Sequence, residues 1–219
     1  MSYAVSPPPC ILLLNGFPGI GKLSIARALQ ETFLPPTCSI LIDNHAIIDI
    51  VTATVEKRTP AYYAHRKTIL RSSFFDKIAS NTTVLMTAGF AAEPAHDIDQ
   101  WQDHVAIARE RGFVFVHVNV TCEVEENERR LVTEERVQGR ESADRGGKGK
   151  AKCIRVERLR ELRGTTTMLD PRAKEHAAAC EGIKIWFFEL DNSSLTIPQS
   201  VKMLQEFLEK VGKGGGYPR

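Results

Sequence analysis

Residues 15–22 read Asn15-Gly16-Phe17-Pro18-Gly19-Ile20-Gly21-Lys22, and few stretches this short restrict a fold as much. Glycines let the backbone curl so that successive N–H groups point inward and form a nest for an anion. The apolar run Cys10–Leu14 precedes the turn, and Ile25, Leu29 and Phe33 recur on one helical face after it. Strand, glycine-rich turn and helix is the setting of the G-x-x-x-x-G-K phosphate loop. The following helix adds its positive N-terminal end. Lys22 reaches towards β- and γ-phosphates. Gly16, Phe17, Pro18, Gly19, Ile20, Gly21 and Lys22 are therefore expected to cradle a nucleoside triphosphate.

The pattern departs from the usual one at its end. A Ser or Thr ordinarily follows the lysine and holds Mg²⁺. Here Leu23 takes that place and the hydroxyl comes one residue later, at Ser24. One residue on a helix turns a side chain by roughly 100°. Ser24 is thus expected to touch another phosphate oxygen, or the metal through water.

Four further apolar runs, Ser39–Ile42, Thr83–Thr87, Phe113–Val120 and Ile183–Leu190, alternate with helical stretches. Nearly continuous apolar runs suit strands covered on both faces, so the pattern implies a parallel sheet with crossover helices. Ile197, Val201, Leu204, Leu208 and Val211 form a helical stripe, with Thr196 and Gln199 at capping-box spacing and Pro198 in the first turn. Thr121 is an expected N-cap, followed by Glu123, Glu125 and Glu126 at the positive end of the next helix. With 219 residues, one domain is expected over residues 1–211. Residues 134–152 are rich in glycine and charge and read as an excursion, placing a lid insert at about 134–165. Residues 212–219 read as a disordered tail.

The second strand ends in Ile42-Asp43-Asn44-His45. Ligands of parallel sheets bind beyond the carboxyl ends of the strands. Asp43 can take a proton from an acceptor hydroxyl, bind Mg²⁺ through water, or cap the helix from Ala46. His45 either touches substrate or packs. Arg66 and Arg71, on the helix after Pro60, face either the acceptor or solvent. Arg129 and Arg130, then Arg136 and Arg140, either clamp a moving phosphoryl group or form a solvated charged face. Asp191, ending the last strand in Asp191-Asn192-Ser193-Ser194, either lies near the nucleotide base or makes a turn. No aspartate closes Thr83-Val84-Leu85-Met86-Thr87, which argues against a motor-type ATPase.

With these residues in view, the sequence resembles the P-loop kinase group of adenylate-, shikimate- and gluconate-kinase-like and chloramphenicol-phosphotransferase-like proteins. It also resembles their uncharacterised AAA-domain relatives labelled ATPase or kinase-like. The matching marks are Asn15 to Ser24, Leu41-Ile42-Asp43-Asn44-His45, Val118-Asn119-Val120-Thr121-Cys122 leading to Arg129-Arg130, and Leu190-Asp191-Asn192-Ser193. The resemblance implies a P-loop NTPase fold, a three-layer α/β/α sandwich whose five-stranded parallel sheet has order 2-3-1-4-5, with a lid. It implies ATP and Mg²⁺ as cofactors. It gives the acceptor-facing role to Asp43 and lid roles to Arg129, Arg136 or Arg140.

The expected function is ATP-dependent phosphoryl transfer to a small-molecule or nucleotide acceptor. A nucleotide-binding protein without transfer is the rival that Leu23 motivates. Transfer to nucleic-acid ends draws on the basic lid, but a net charge of +2 is too mild to favour nucleic acid. Nothing resembles a signal peptide or membrane span, and the five cysteines lack metal or disulfide spacing. The expectation is a cytoplasmic protein.

Overall fold

The computed structural model describes residues 8–93, 95–133 and 155–213. Arg136, Arg140, residues 134–154 of the expected lid and the tail from 214 lie outside them. The elements run β1 (Cys10–Asn15), α1 (Lys22–Thr32), β2 (Ser39–Asp43), α2 (Asn44–Thr52), α3 (Pro60–Lys77), β3 (Thr83–Thr87), α4 (Ala95–Glu110), β4 (Val114–Thr121), α5 (Val124–Leu131), α6 (Val156–Thr165), a 3₁₀ turn (Lys174–His176), α7 (Ala177–Cys180), β5 (Ile185–Asp191) and α8 (Ile197–Gly212). All five strands pair in parallel, in the order β2-β3-β1-β4-β5.

Side-chain alternation along β1 explains the layers. Cys10, Leu12 and Leu14 enter one core with Ile25 and Leu29 of α1 and Val201, Leu204 and Leu208 of α8. Ile11 and Leu13 enter the other, with Ile47 of α2, Leu70 of α3 and Trp101 and Val105 of α4. A strand with helices on both faces has no solvated side, so every β1 side chain is buried. Each fully buried leucine contributes about 1.5–3 kcal/mol.

The helix ends follow local chemistry. Thr196 and Gln199 close the capping box of α8, with proline in its first turn. Thr121 is not the cap of α5. It is the last residue of β4, held extended opposite Asp191, and α5 starts after Glu123. The Glu123 N–H is satisfied instead by Ser193 Oγ at 2.9 Å. After the undescribed stretch the chain returns as α6, with Leu159 buried. Among the described residues no helix is long and apolar enough to cross a membrane.

Candidate active site

The turn between β1 and α1 is built on glycine. Gly16 has φ 152°, and a Cβ there would lie 2.6 Å from the Val120 carbonyl oxygen. Gly19 has φ 84°, and its Cβ would lie 2.9 Å from Leu131 Cδ1. The loop thus needs both a backbone that L side chains rarely adopt and the absence of a side chain. Lys22 Nζ donates to the carbonyls of Gly16 at 2.6 Å and Phe17 at 2.8 Å, which holds the ammonium over the loop. No side chain caps α1 and no acid lies in its first turn, so its N-terminal dipole faces the loop unopposed. Leu23 is half-buried and Ser24 exposed.

Asparagines and arginines fix the loop from outside. Asn192 donates to the Ile20 carbonyl at 2.8 Å, and buried Asn127 of α5 donates to the Pro18 carbonyl at 2.9 Å. Arg163 of α6 donates to Asn127 Oδ1 at 3.1 Å and to the Cys122 carbonyl at 3.0 Å. Its guanidinium lies over the Phe17 ring, 5.0 Å from the centroid. Arg130 donates to the Asn192 carbonyl at 2.9 Å and to Glu126 at 2.6 Å. Arg129 also binds Glu126, with a side chain 68% exposed. The two arginines hold the Glu126 carboxyl down at about 2, Arg129 contributing most. Asp191 accepts from both the N–H and hydroxyl of Ser193, which makes a turn and lowers its carboxyl.

A second group gathers where β2 and β3 end. Asp43 and Thr87 are register partners. The Thr87 hydroxyl donates to Asp43 Oδ1 at 2.9 Å, and the His45 N–H reaches the same oxygen at 3.4 Å. Asp43 is therefore the N-cap of α2 and a strand-end carboxylate at once. The Asn44 N–H reaches Thr87 Oγ1 at 3.3 Å. Arg66 donates to Asn44 Oδ1 at 2.7 Å and to the Tyr62 hydroxyl at 3.3 Å. His45 lines a groove of about 440 Å³ with Asp49, Thr52 and Lys57. Arg71 instead bridges α3 to α4 through Glu110, at 2.5 Å.

Behind both groups runs a buried polar chain. Asn15 accepts from the Phe90 N–H at 2.6 Å and donates to its carbonyl at 3.0 Å, which fixes the backbone after β3 beside the loop. Asn15 also donates to Asn119 Oδ1 at 3.0 Å, and Asn119 donates to the Leu169 carbonyl at 3.0 Å. Trp101 Nε1 donates to His117 Nδ1 at 3.1 Å. That assigns the proton to Nε2, which lies 2.9 Å from Asn119 Oδ1. Residues 90–92 also pair with 167–169: Ala91 bridges Met168, the Ala92 N–H donates to the Thr167 carbonyl at 3.0 Å, and the Leu169 N–H to the Phe90 carbonyl at 3.1 Å. Glu93 clasps Thr167 through its N–H at 3.0 Å and its hydroxyl at 2.6 Å.

Donors for Mg²⁺ are few. No cluster of three His, Cys, Asp or Glu exists among the described residues. Mg²⁺ usually takes one or two carboxylates with phosphate oxygens and water, so a lone carboxylate suffices. Asp43 suits that arrangement, whereas Leu23 has no side-chain oxygen to give.

Arg163, Asn127, Thr87 and the roles of the asparagines do not emerge from sequence patterns. Asn127 sits within a charged run, Glu125 to Arg130, that has the composition of a solvated face. The available signal is an asparagine in an apolar strand, as at Asn119, or closing one, as at Asn15.

No family model matches the chain, and no curated protein matches it. Solved structures do. A sugar kinase from Janibacter sp. is 12% identical, with TM-score 0.55 over 96% of this chain and 100% of that chain. The Mycobacterium tuberculosis APS kinase, solved with AMPPNP and APS, is 15% identical, with TM-score 0.55 over 93% and 99%. Chaetomium thermophilum Kti12, solved with ADP-AlF3, is 12% identical, with TM-score 0.51 over 90% and 97%. At such identities the likeness is one of architecture, and the architecture is the P-loop NTPase α/β fold.

Proposed function

We propose that this chain is an ATP-dependent phosphotransferase acting on a small-molecule or nucleotide acceptor. One observation carries the reading. The order β2-β3-β1 sets the phosphate loop and the Asp43–Thr87 pair on the same edge of the sheet, one strand apart. Phosphate-binding groups and a candidate base thus share one site.

Lys22 and the loop N–H groups hold the triphosphate and offset its charge. Thr87 fixes the orientation of the Asp43 carboxylate. The acceptor oxygen attacks the γ-phosphorus, the bond from that phosphorus to the β,γ-bridging oxygen breaks, Asp43 takes the hydroxyl proton, and ADP leaves. Asp43 is the residue that would hold Mg²⁺, through water, and the ion would supply countercharge for the phosphates. Arg163 lies against the loop and is our candidate for the arginine that stabilises charge on the transferring group, a role the sequence suggests for Arg129, Arg136 and Arg140.

The test measures ADP release from ATP and Mg²⁺ across a panel of sugars, nucleosides, nucleotides and hydroxy acids. Asp43→Ala should cut acceptor-dependent turnover by about 10²–10⁴-fold while ATP still binds. Undiminished turnover in that variant removes Asp43 from the mechanism. A second reading, nucleotide binding without transfer, is favoured by Leu23 at the metal-ligand position. It requires that ATP raise the melting temperature while no acceptor yields ADP.

A further inference from the structure

P-loop NTPases usually hold Mg²⁺ with two side chains, a Ser or Thr directly after the loop lysine and a Walker B acid at a strand end. In this chain both positions hold something else. Leu23 follows Lys22. It is half-buried and belongs to neither core, so core packing does not account for it. Thr87 ends β3, opposite Leu14 at the entry to the loop. It is 4% exposed, and its hydroxyl is already engaged, donating to Asp43 Oδ1 at 2.9 Å and accepting from the Asn44 N–H at 3.3 Å. Ser24 is exposed, and its side chain leaves the helix roughly 100° round from that of Leu23.

The strand-end carboxylate, Asp43, stands on β2, one strand farther from the loop than Thr87. Neighbouring strands lie about 4.8 Å apart, more than twice a Mg²⁺–oxygen bond of about 2.1 Å. A carboxylate moved aside by that much meets an ion at the usual place through water. The phosphates, in contrast, find their compensation in the protein alone. The loop N–H groups and the N-terminus of α1, with no acid in its first turn, face them. Lys22 is held over the loop by the Gly16 and Phe17 carbonyls.

Resting on the phosphotransferase reading only for its nucleotide site, we propose that the chain binds a nucleoside triphosphate without giving its metal a direct ligand, and that Leu23 sets this. A divalent ion that arrives with the nucleotide keeps its water on the protein side. The loop therefore takes the metal-free triphosphate nearly as well as the Mg²⁺ complex.

The test is isothermal titration of the whole chain with a non-hydrolysable ATP analogue in three forms: metal-free in EDTA, with Mg²⁺, and as its exchange-inert Cr(III) complex. The remaining ligands of the Cr(III) complex are waters that do not leave, so it matches the Mg²⁺ form only where no side chain enters the coordination shell. The three forms should bind within about tenfold of one another, and Leu23→Ser should tighten the Mg²⁺ form alone by about 10–100-fold. A Mg²⁺ form more than about tenfold tighter than either of the others in the unaltered chain overturns the proposal, and that comparison needs no variant. A folded Leu23→Ser chain that still binds the three forms equally overturns the assignment to Leu23. Metal-independent binding with no acceptor-dependent ADP from any acceptor would instead overturn the phosphotransferase reading and leave this proposal standing. Binding of none of the three forms overturns both.

Discussion

Gly19→Ala tests the reasoning about the phosphate loop most directly. The native φ of 84° costs a residue with a Cβ about 1–2 kcal/mol. The new methyl would lie 2.9 Å from Leu131 Cδ1, 3.2 Å from Leu131 Cα and 3.2 Å from Asn127 Nδ2. Leu131 is fully buried, so α5 must move, and overpacking of that kind costs about 1–3 kcal/mol. The sum is about 2–5 kcal/mol, which in a chain of this size lowers the melting temperature by roughly 5–15 °C. A displaced α5 also pulls Asn127 from Pro18, so stabilisation by ATP should fall with it. The decisive measurement is a double-mutant cycle by chemical denaturation with Leu131→Ala. That change alone costs about 2–5 kcal/mol, but it opens the space the new methyl needs. The two costs should fall short of additive by about 1 kcal/mol. Additive costs, or an unchanged melting temperature in Gly19→Ala, would refute the steric account.

Two further outcomes concern buried polar side chains. Burial pushes His104 and His117 down to about 4 from 6.5, so between those values the unfolded chain binds more protons and stability must fall as pH drops. Each histidine should withdraw about 2 kcal/mol at pH 5 relative to neutral pH, read from urea denaturation at both. The slope should shrink in His117→Gln, and a slope indifferent to that change would remove the histidine as its cause. Asn119→Ala strips partners from Asn15, His117 and the Leu169 carbonyl at once, and should cost about 3 kcal/mol or more. A loss below about 1 kcal/mol would show that the network relaxes around the gap.

What the sequence discloses divides by range. All five strands are legible because burial on both faces leaves apolar runs, and α8 because its stripe and capping box are local. Strand order depends on pairing between distant residues, and only the resemblance supplies it. Thr121 looks like a cap locally, but pairing with Asp191 holds it in the sheet. The two readings of Asp43, cap or strand-end carboxylate, prove compatible because one oxygen serves both geometries. Arg66 and Arg71 look alike in sequence. Five residues on a helix turn a side chain by roughly 140°, so they point different ways, one to Asn44 and one to Glu110. Arg129 and Arg130 part for the same reason, and only Arg130 reaches the Asn192 carbonyl. Arg163 gives no local cue, since its place over Phe17 depends on a chain return from beyond residue 154.

The short pairing of residues 90–92 with 167–169, fastened by Glu93 and Thr167, has a thermodynamic consequence. One side of it leads through Ala91 to Asp97 at the start of α4. The other leads back to the helix from which Arg163 lies over Phe17. On the phosphotransferase reading, whatever stiffens one segment would stiffen the other, so acceptor and nucleotide would share a single ordering cost. The ligand that arrives first would meet most of it, and each ligand would raise the affinity of the other by the same factor.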